Sequence, residues 1–336
     1  MVKLPIETEN TMFGLYLYPT AKEIMEKQQD IAWTAQEIPV EKDKPDYKGR
    51  LDELQLNGVT ITLQTFVEIE QTVGEVWNKI ASWYPHSEIE GCATEISRME
   101  KSVHAFFYQK MSDVLNIPPE EIQKNQQTIQ VLKKKLTFLK EITSNLDKDK
   151  LLSLATVAGI EQVLLFSNFG FLKSFKSNGY KYIMNTLTGV DFVIQDEQIH
   201  GVFASYLHNT HIEEMQKADP SWSREKHNKN VIKVIQEIVN HEDAIIDYMF
   251  PGNVPINSVT GKQLKIFIRS RANDVLRDLG IEIIYFLDEN PVAEWFYKGS
   301  KSIRLHDFFV SGTSQYSRKW QTNRFSRLPL MEKNNE

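Results

Sequence analysis

The chain has 336 residues and a mass of 39.0 kDa, with 41% hydrophobic and 25% charged residues, a globular balance with enough apolar material for a large core. A net charge of −6 and a pI near 5.8 leave no surplus of Lys and Arg for a nucleic-acid-binding face. The single cysteine, Cys92, excludes an internal disulfide and a cysteine-rich zinc site; the opening MVKLPIETENTMFG lacks the apolar stretch of a secretory signal, and no uninterrupted apolar run reaches membrane-span length. The expectation is a soluble cytoplasmic protein that engages neither nucleic acid nor membrane.

Gly (15) and Pro (12) are sparse, and long stretches contain neither, which points to an all-helical protein. Residues 20–33 read as a short helix ending before Pro39, and 38–51 as a polar connection. A helical stripe of Leu63, Phe66, Val73, Trp77 and Ile80 runs through 55–83. A second long helix spans 87–115, opened by Ser87 and Glu90 at capping-box spacing and closed before Pro118-Pro119. Further helices are predicted over 119–144, 150–176, 180–207, 226–249 and 261–279, the last stopped by Gly280. The Lys133–Lys135 run, Glu95 and Lys101 read as solvated faces. Beyond about residue 290 the pattern weakens. The architecture is a bundle of about eight long helices, with 1–310 as one domain and 311–336 as a tail.

Four of these helices place a carboxylate on an apolar stripe, where it is costly unless paired, hydrogen-bonded or bound to a metal. Glu197 and His200 lie in line with Val193, Ala204 and Leu207; Glu161 lies with Val157, Ile160, Leu164 and Leu165. Glu100, His104 and Tyr108 follow one another at four-residue steps between Ile96 and Met111. Glu70 sits between Phe66 and Val73, whereas Glu68 falls with Gln64, Gln71 and Glu75 on the polar face, although the segment VEIEQT offers more than one acid. Each feature has a plainer reading on its own: an exposed E-x-x-H pair, a rotated Glu161, a satisfied core histidine, a packing tyrosine. Together, four Glu and two His suit two first-row metals such as iron or manganese, and two helices giving one Glu each and two giving a Glu-His pair each make a di-metal carboxylate bundle.

RMEKSVHAFFYQKM (98–111), GIEQVLLFSNFGF (159–171) and VIQDEQIHGVF (193–203), followed by RSRANDVLRDLGI (269–281), NPVAEWF (290–296) and HDFFVSGTSQYS (306–317), resemble in this order the small, radical-generating subunit of class I ribonucleotide reductases, a ferritin-like family. The resemblance implies a four-helix di-metal core with Glu70, Glu100, His104, Glu161, Glu197 and His200 as ligands of an Fe2, Mn2 or Mn/Fe centre. It implies a radical on Tyr108, with Asp196 and Trp33 linking the site to the surface and Tyr316 relaying from the tail to a large subunit. Phe106, Phe107, Phe166, Phe169 and Phe192 are candidates to wall the tyrosine. O2, a homodimeric partner and an activase flavoprotein are further expectations. Three departures stand out. Glu100 and His104 are four residues apart where the family has three, with Lys101 at the strict family position; a local π-bulge is the expected remedy if Glu100 is the ligand. The first ligand is Glu rather than Asp, and the tail is more basic than the family's acidic ends. The alternatives are another di-metal oxidase on the same bundle (a ligand-binding oxidase or acyl desaturase) and a non-enzymatic metal-binding bundle.

Overall fold

The computed structural model describes residues 3–10, 12, 14–177 and 179–298. Helices dominate them: α1 (Pro19–Asp30), α2 (Lys44–Gly49), α3 (Glu53–Ala81), α4 (Ser87–Met99), α5 (Ala105–Leu115), α6 (Pro119–Thr128), α7 (Gln130–Asn145), α8 (Lys150–Gly159), α9 (Phe166–Lys173), α10 (Met184–Ala218), α11 (Arg224–Met249), α12 (Gly261–Asp278) and α13 (Pro291–Phe296). A π-helical turn, Glu100–His104, joins α4 to α5, and another, Ile160–Leu164, lies between α8 and α9. Among the described residues the only β-pairing is an isolated bridge between Ile256 and Val259. Tyr316 and the tail 311–336 lie outside the described residues.

Local chemistry sets the helix ends. Asp52 opens α3 by accepting from the Gln55 amide at 2.8 Å while the Gln55 side chain returns to the Asp52 amide at 2.9 Å, a reciprocal cap. The longest helix, α10, has no cap of its own, because Ile183 before it is left-handed (φ +47°). Asp43 supplies the cap from another part of the chain, taking the amides of Asn185 and Thr186 at 3.2 and 2.6 Å. At the end of α12, Gly280 adopts φ +68°, its amide reaches Arg277 O and the Ile281 amide reaches Leu276 O, the double closure that a left-handed glycine permits.

The apolar stripes of α3, α4–α5, α8–α9 and α10 face one another, with α11 and α12 packed outside α8–α9. Residues 150–176 are long and apolar enough to cross a membrane by composition, yet 94% of their most apolar 18 residues is buried inside the bundle.

Several sequence expectations are corrected. No capping box opens α4: His86 precedes it without a side-chain cap, and the Ser87 hydroxyl turns to Glu88 instead. The helix expected over 119–144 is broken at Ile129, whose backbone is extended (ψ 110°). The Thr128 hydroxyl bonds back to Lys124 O, and α6 buries only Ile122, so little holds it on the axis of α7. The connection 38–51 contains α2 and the buried Val40 and Tyr47. Lys135, expected on a solvated face, is buried, as is Gln64, which was assigned to a polar one.

At Gly201, α10 lies close against the second π turn. A Cβ there would stand 2.2 Å from Cγ of Gln162, which is buried and held by Arg271. Gly201→Ala should therefore cost about 1–3 kcal/mol through overpacking, read as a lowered thermal midpoint of the metal-free protein; an unchanged midpoint would show that Gln162 yields freely.

Candidate metal centre

Four helical strips converge on one fully buried cluster. Glu70 comes from α3, Glu100 and His104 from the first π turn, Glu161 from the second, and Glu197 and His200 from α10. His104 Nδ1 lies 3.1 Å from Glu197, 3.3 Å from Glu70 and 3.4 Å from Glu100. His200 Nδ1 lies 2.8 Å from Glu100, 3.5 Å from Glu197 and 3.7 Å from Glu161. Two overlapping groups that could each hold a metal ion result, Glu70–Glu100–His104–Glu197 and Glu100–Glu161–Glu197–His200, and within each one donor atom per residue lies within 4.8 Å of the others. Glu100 and Glu197 belong to both.

The first π turn falls where the spacing of Glu100 and His104 departs from the family's. It carries one residue more per turn than an α-helix, so Glu100 and His104 both face inward. Lys101 turns outward and pairs with Glu75, its stem lying across Gly74, where a Cβ would collide with it. On α3, Glu70 points into the cluster while Glu68 pairs with Lys140 at 3.3 Å.

Among the described residues, Glu70 Oε1, both oxygens of Glu100 and Glu197, Glu161 Oε2 and both nitrogens of His200 have no aligned hydrogen-bond partner, although several approach one another closely. Burial, and then the charge of Glu100, pushes the Glu70 carboxyl well up; burial and then Glu197 do the same to Glu161. Burial also opposes charge on Glu100, but His104, Glu70 and His200 outweigh it and hold that carboxyl low. Buried polar atoms left unpaired are costly. Two divalent cations would satisfy them, and four carboxylates would balance their charge with both imidazoles neutral. The donor set therefore fits a dinuclear centre of oxygen- and nitrogen-preferring metals.

Around the cluster, Asp196 is a hub. One of its oxygens accepts from Trp33 Nε1 at 2.8 Å and faces His104 Nε2 at 3.0 Å; the other accepts from Gln28 Nε2 at 3.0 Å. The Trp33 and His104 rings stack at 6.0 Å. Trp77 donates its indole N–H to Glu161. Sequence reasoning placed Trp77 in the apolar stripe but missed this contact; its position seven residues after Glu70, two turns along the same face, is the signal that could have found it.

Tyr108 is fully buried, and its hydroxyl has no hydrogen-bond partner among the described residues. Burial, then the charge of Glu70, lifts its pKa well above the usual phenol value. Its ring packs on Phe66 at 4.7 Å and Phe107 at 5.1 Å, with Phe169 behind Phe66 at 4.9 Å. The expected wall needs correcting. Phe106 is half exposed on the outer face of α5, because it lies about 100° around the helix from Phe107. Phe192 packs on Trp33 instead, and Phe166 lies under Arg271.

The sequence profile of the family described as "Ribonucleotide reductase, small chain" matches residues 13–291. The chain belongs to that family. A ribonucleoside-diphosphate reductase subunit beta from Mycobacterium leprae (strain TN) is 26% identical over 291 residues, covering 84% of each chain. The fold is similar to that of the dimanganese(II) NrdF of Streptococcus sanguinis, with a TM-score of 0.74, 20% identity and coverage of 86% of this chain and 99% of that one. It is also similar to a ribonucleotide reductase R2 subunit from Clostridium botulinum, with a TM-score of 0.72, 17% identity and coverage of 84% and 89%. As a small chain of a ribonucleotide reductase, the protein works with a large subunit. Family membership favours the reductase small chain over the oxidase, desaturase and scaffold alternatives.

Proposed function

We propose that the buried cluster holds two iron or manganese ions, or one of each, and that the protein generates and stores a radical on Tyr108 for use by the large subunit. Glu70 and His104 would hold one ion, Glu161 and His200 the other, and Glu100 and Glu197 would be shared. When bound, such a pair supplies the oxidising chemistry, with O2, or an oxidant delivered by a flavoprotein activase, as the electron acceptor. The observation that carries the reading is the coincidence of six buried carboxylate and imidazole side chains, mostly lacking aligned partners, with a buried tyrosine that has none.

The chain's own residues then have distinct tasks. Tyr108 would give up one electron and its phenol proton together, because burial disfavours both charged alternatives, the phenolate and the cation radical. Phe66 and Phe107 offer the resulting neutral radical no readily abstracted hydrogen and exclude water. His104 would hold a metal through Nδ1 while its Nε2 reaches Asp196, and Asp196 accepts from Trp33, which would make a continuous path for coupled electron and proton movement out of the core. Tyr316 would continue that path from the tail. A homodimer in the cytosol completes the proposal.

The test is metal analysis and EPR on protein loaded with Fe(II) or Mn(II) under air, with and without a flavoprotein reductant. Two metals per chain and a tyrosyl signal are expected, together with ribonucleotide reduction when the large subunit is added. Metal uptake with no radical under any loading would refute the radical assignment, and no metal uptake would refute the ligand set.

A further inference from the structure

Lys135 on α7 and Glu242 on α11 are both fully buried and pair at 2.6 Å. Neither touches the metal-ligand cluster; both grip main chain. Lys135 Nζ donates to Leu164 O at 2.6 Å, and the second oxygen of Glu242 accepts the Ser167 amide at 2.9 Å. These groups flank Leu165 (φ −106°, ψ −12°), where the π turn carrying Glu161 hands over to α9. From the other side, the buried Arg271 on α12 donates Nε to Gln162 O at 2.9 Å, with its guanidinium 4.0 Å from the Phe166 ring centroid.

A buried ion pair is a weak source of stability, and apolar replacements of similar size often leave a fold as stable or more so. A π turn, in contrast, shifts the hydrogen-bond ladder by one residue, and its register needs specifying from outside the helix. We propose that Lys135 and Glu242 are positioning residues for Glu161: they pin the opened turn at 164–167 and, with Arg271 at Gln162, keep the register that aims the Glu161 carboxylate at His200. The inference rests on the two-metal reading, and it is selective, because Glu161 belongs to only one of the two ligand sets.

The experiment measures Mn(II) binding to the metal-free full-length protein by equilibrium dialysis and low-temperature EPR. It compares wild type, Lys135→Met/Glu242→Leu, and Leu132→Ala, a cavity variant in the same helix that matches the double variant for any general loosening. Wild type is expected to bind two interacting ions. The double variant should keep one tightly and bind the second roughly 10–100-fold more weakly, as lost outer-shell support does. The six-line spectrum of an isolated Mn(II) should then replace the signal of the pair. Leu132→Ala should lose stability but keep both ions. Two ions bound by the double variant with wild-type affinity and spectrum would overturn the proposal, as would equal metal loss in Leu132→Ala. Failure of wild type to bind a pair would be a failure of the two-metal reading itself.

Discussion

Tyr108→Phe is expected to abolish the radical and reduce large-subunit-dependent ribonucleotide reduction to background, while both metals remain bound. The substitution removes one oxygen and leaves the ring between Phe66 and Phe107. That oxygen has no hydrogen-bond partner among the described residues, so the substitution removes no polar contact seen there. Burying an unpaired hydroxyl costs about 1–3 kcal/mol, and the metal-free variant should melt at the same temperature as wild type or slightly higher. EPR, metal stoichiometry and a reduction assay with the large subunit on metal-loaded protein, with a thermal scan on metal-free protein, check the four parts. A tyrosyl signal surviving in Tyr108→Phe would move the radical to another tyrosine, and loss of metal would make Tyr108 part of the ligand network.

Glu197→Gln should act on both metals at once. Glu197 belongs to both ligand sets, and its near-isosteric amide carries no charge to balance the cations. The affinity loss should exceed the ~10–100-fold typical of a lost outer partner, and binding should fall below one ion per chain at concentrations that saturate wild type. Thermal stabilisation provides a second readout. Ligand at 100 times its Kd stabilises the folded state by about 2.7 kcal/mol, and that rise in midpoint should vanish in Glu197→Gln. An unchanged rise would place the ions elsewhere. The same measurement on Glu161→Gln should spare the ion held by Glu70 and His104.

Much of this site is legible in the sequence because helical periodicity is a physical ruler. A carboxylate spaced among Ile, Leu and Val at three- and four-residue steps must face the core, and charge in a core requires a compensating partner. That reasoning reaches Glu100, His104, Glu161, Glu197 and His200 directly, and Glu70 through the contrast with Glu68. It also separates Lys101 from Glu100, because neighbouring residues point about 100° apart. Helix existence is equally legible, since the stripes of α3, α8–α9 and α10 extend over many turns and Gly280 marks the end of α12 by local chemistry alone.

What only the tertiary structure decided is every relation that joins distant parts of the chain. The sequence raised the π turn at Glu100–His104 as a remedy for an odd spacing; the fold forms it, and forms another at Ile160–Leu164 that no spacing announced. Phe66 rather than Phe106 walls Tyr108, Asp43 caps a helix that begins more than a hundred residues later, and Trp77 reaches Glu161. Lys135 looks like one of three solvated lysines until α11 and α8–α9 close over it. Periodicity reports which side of a helix is buried; it carries no information about which neighbour covers that side, because the partner is chosen by packing among elements far apart in sequence.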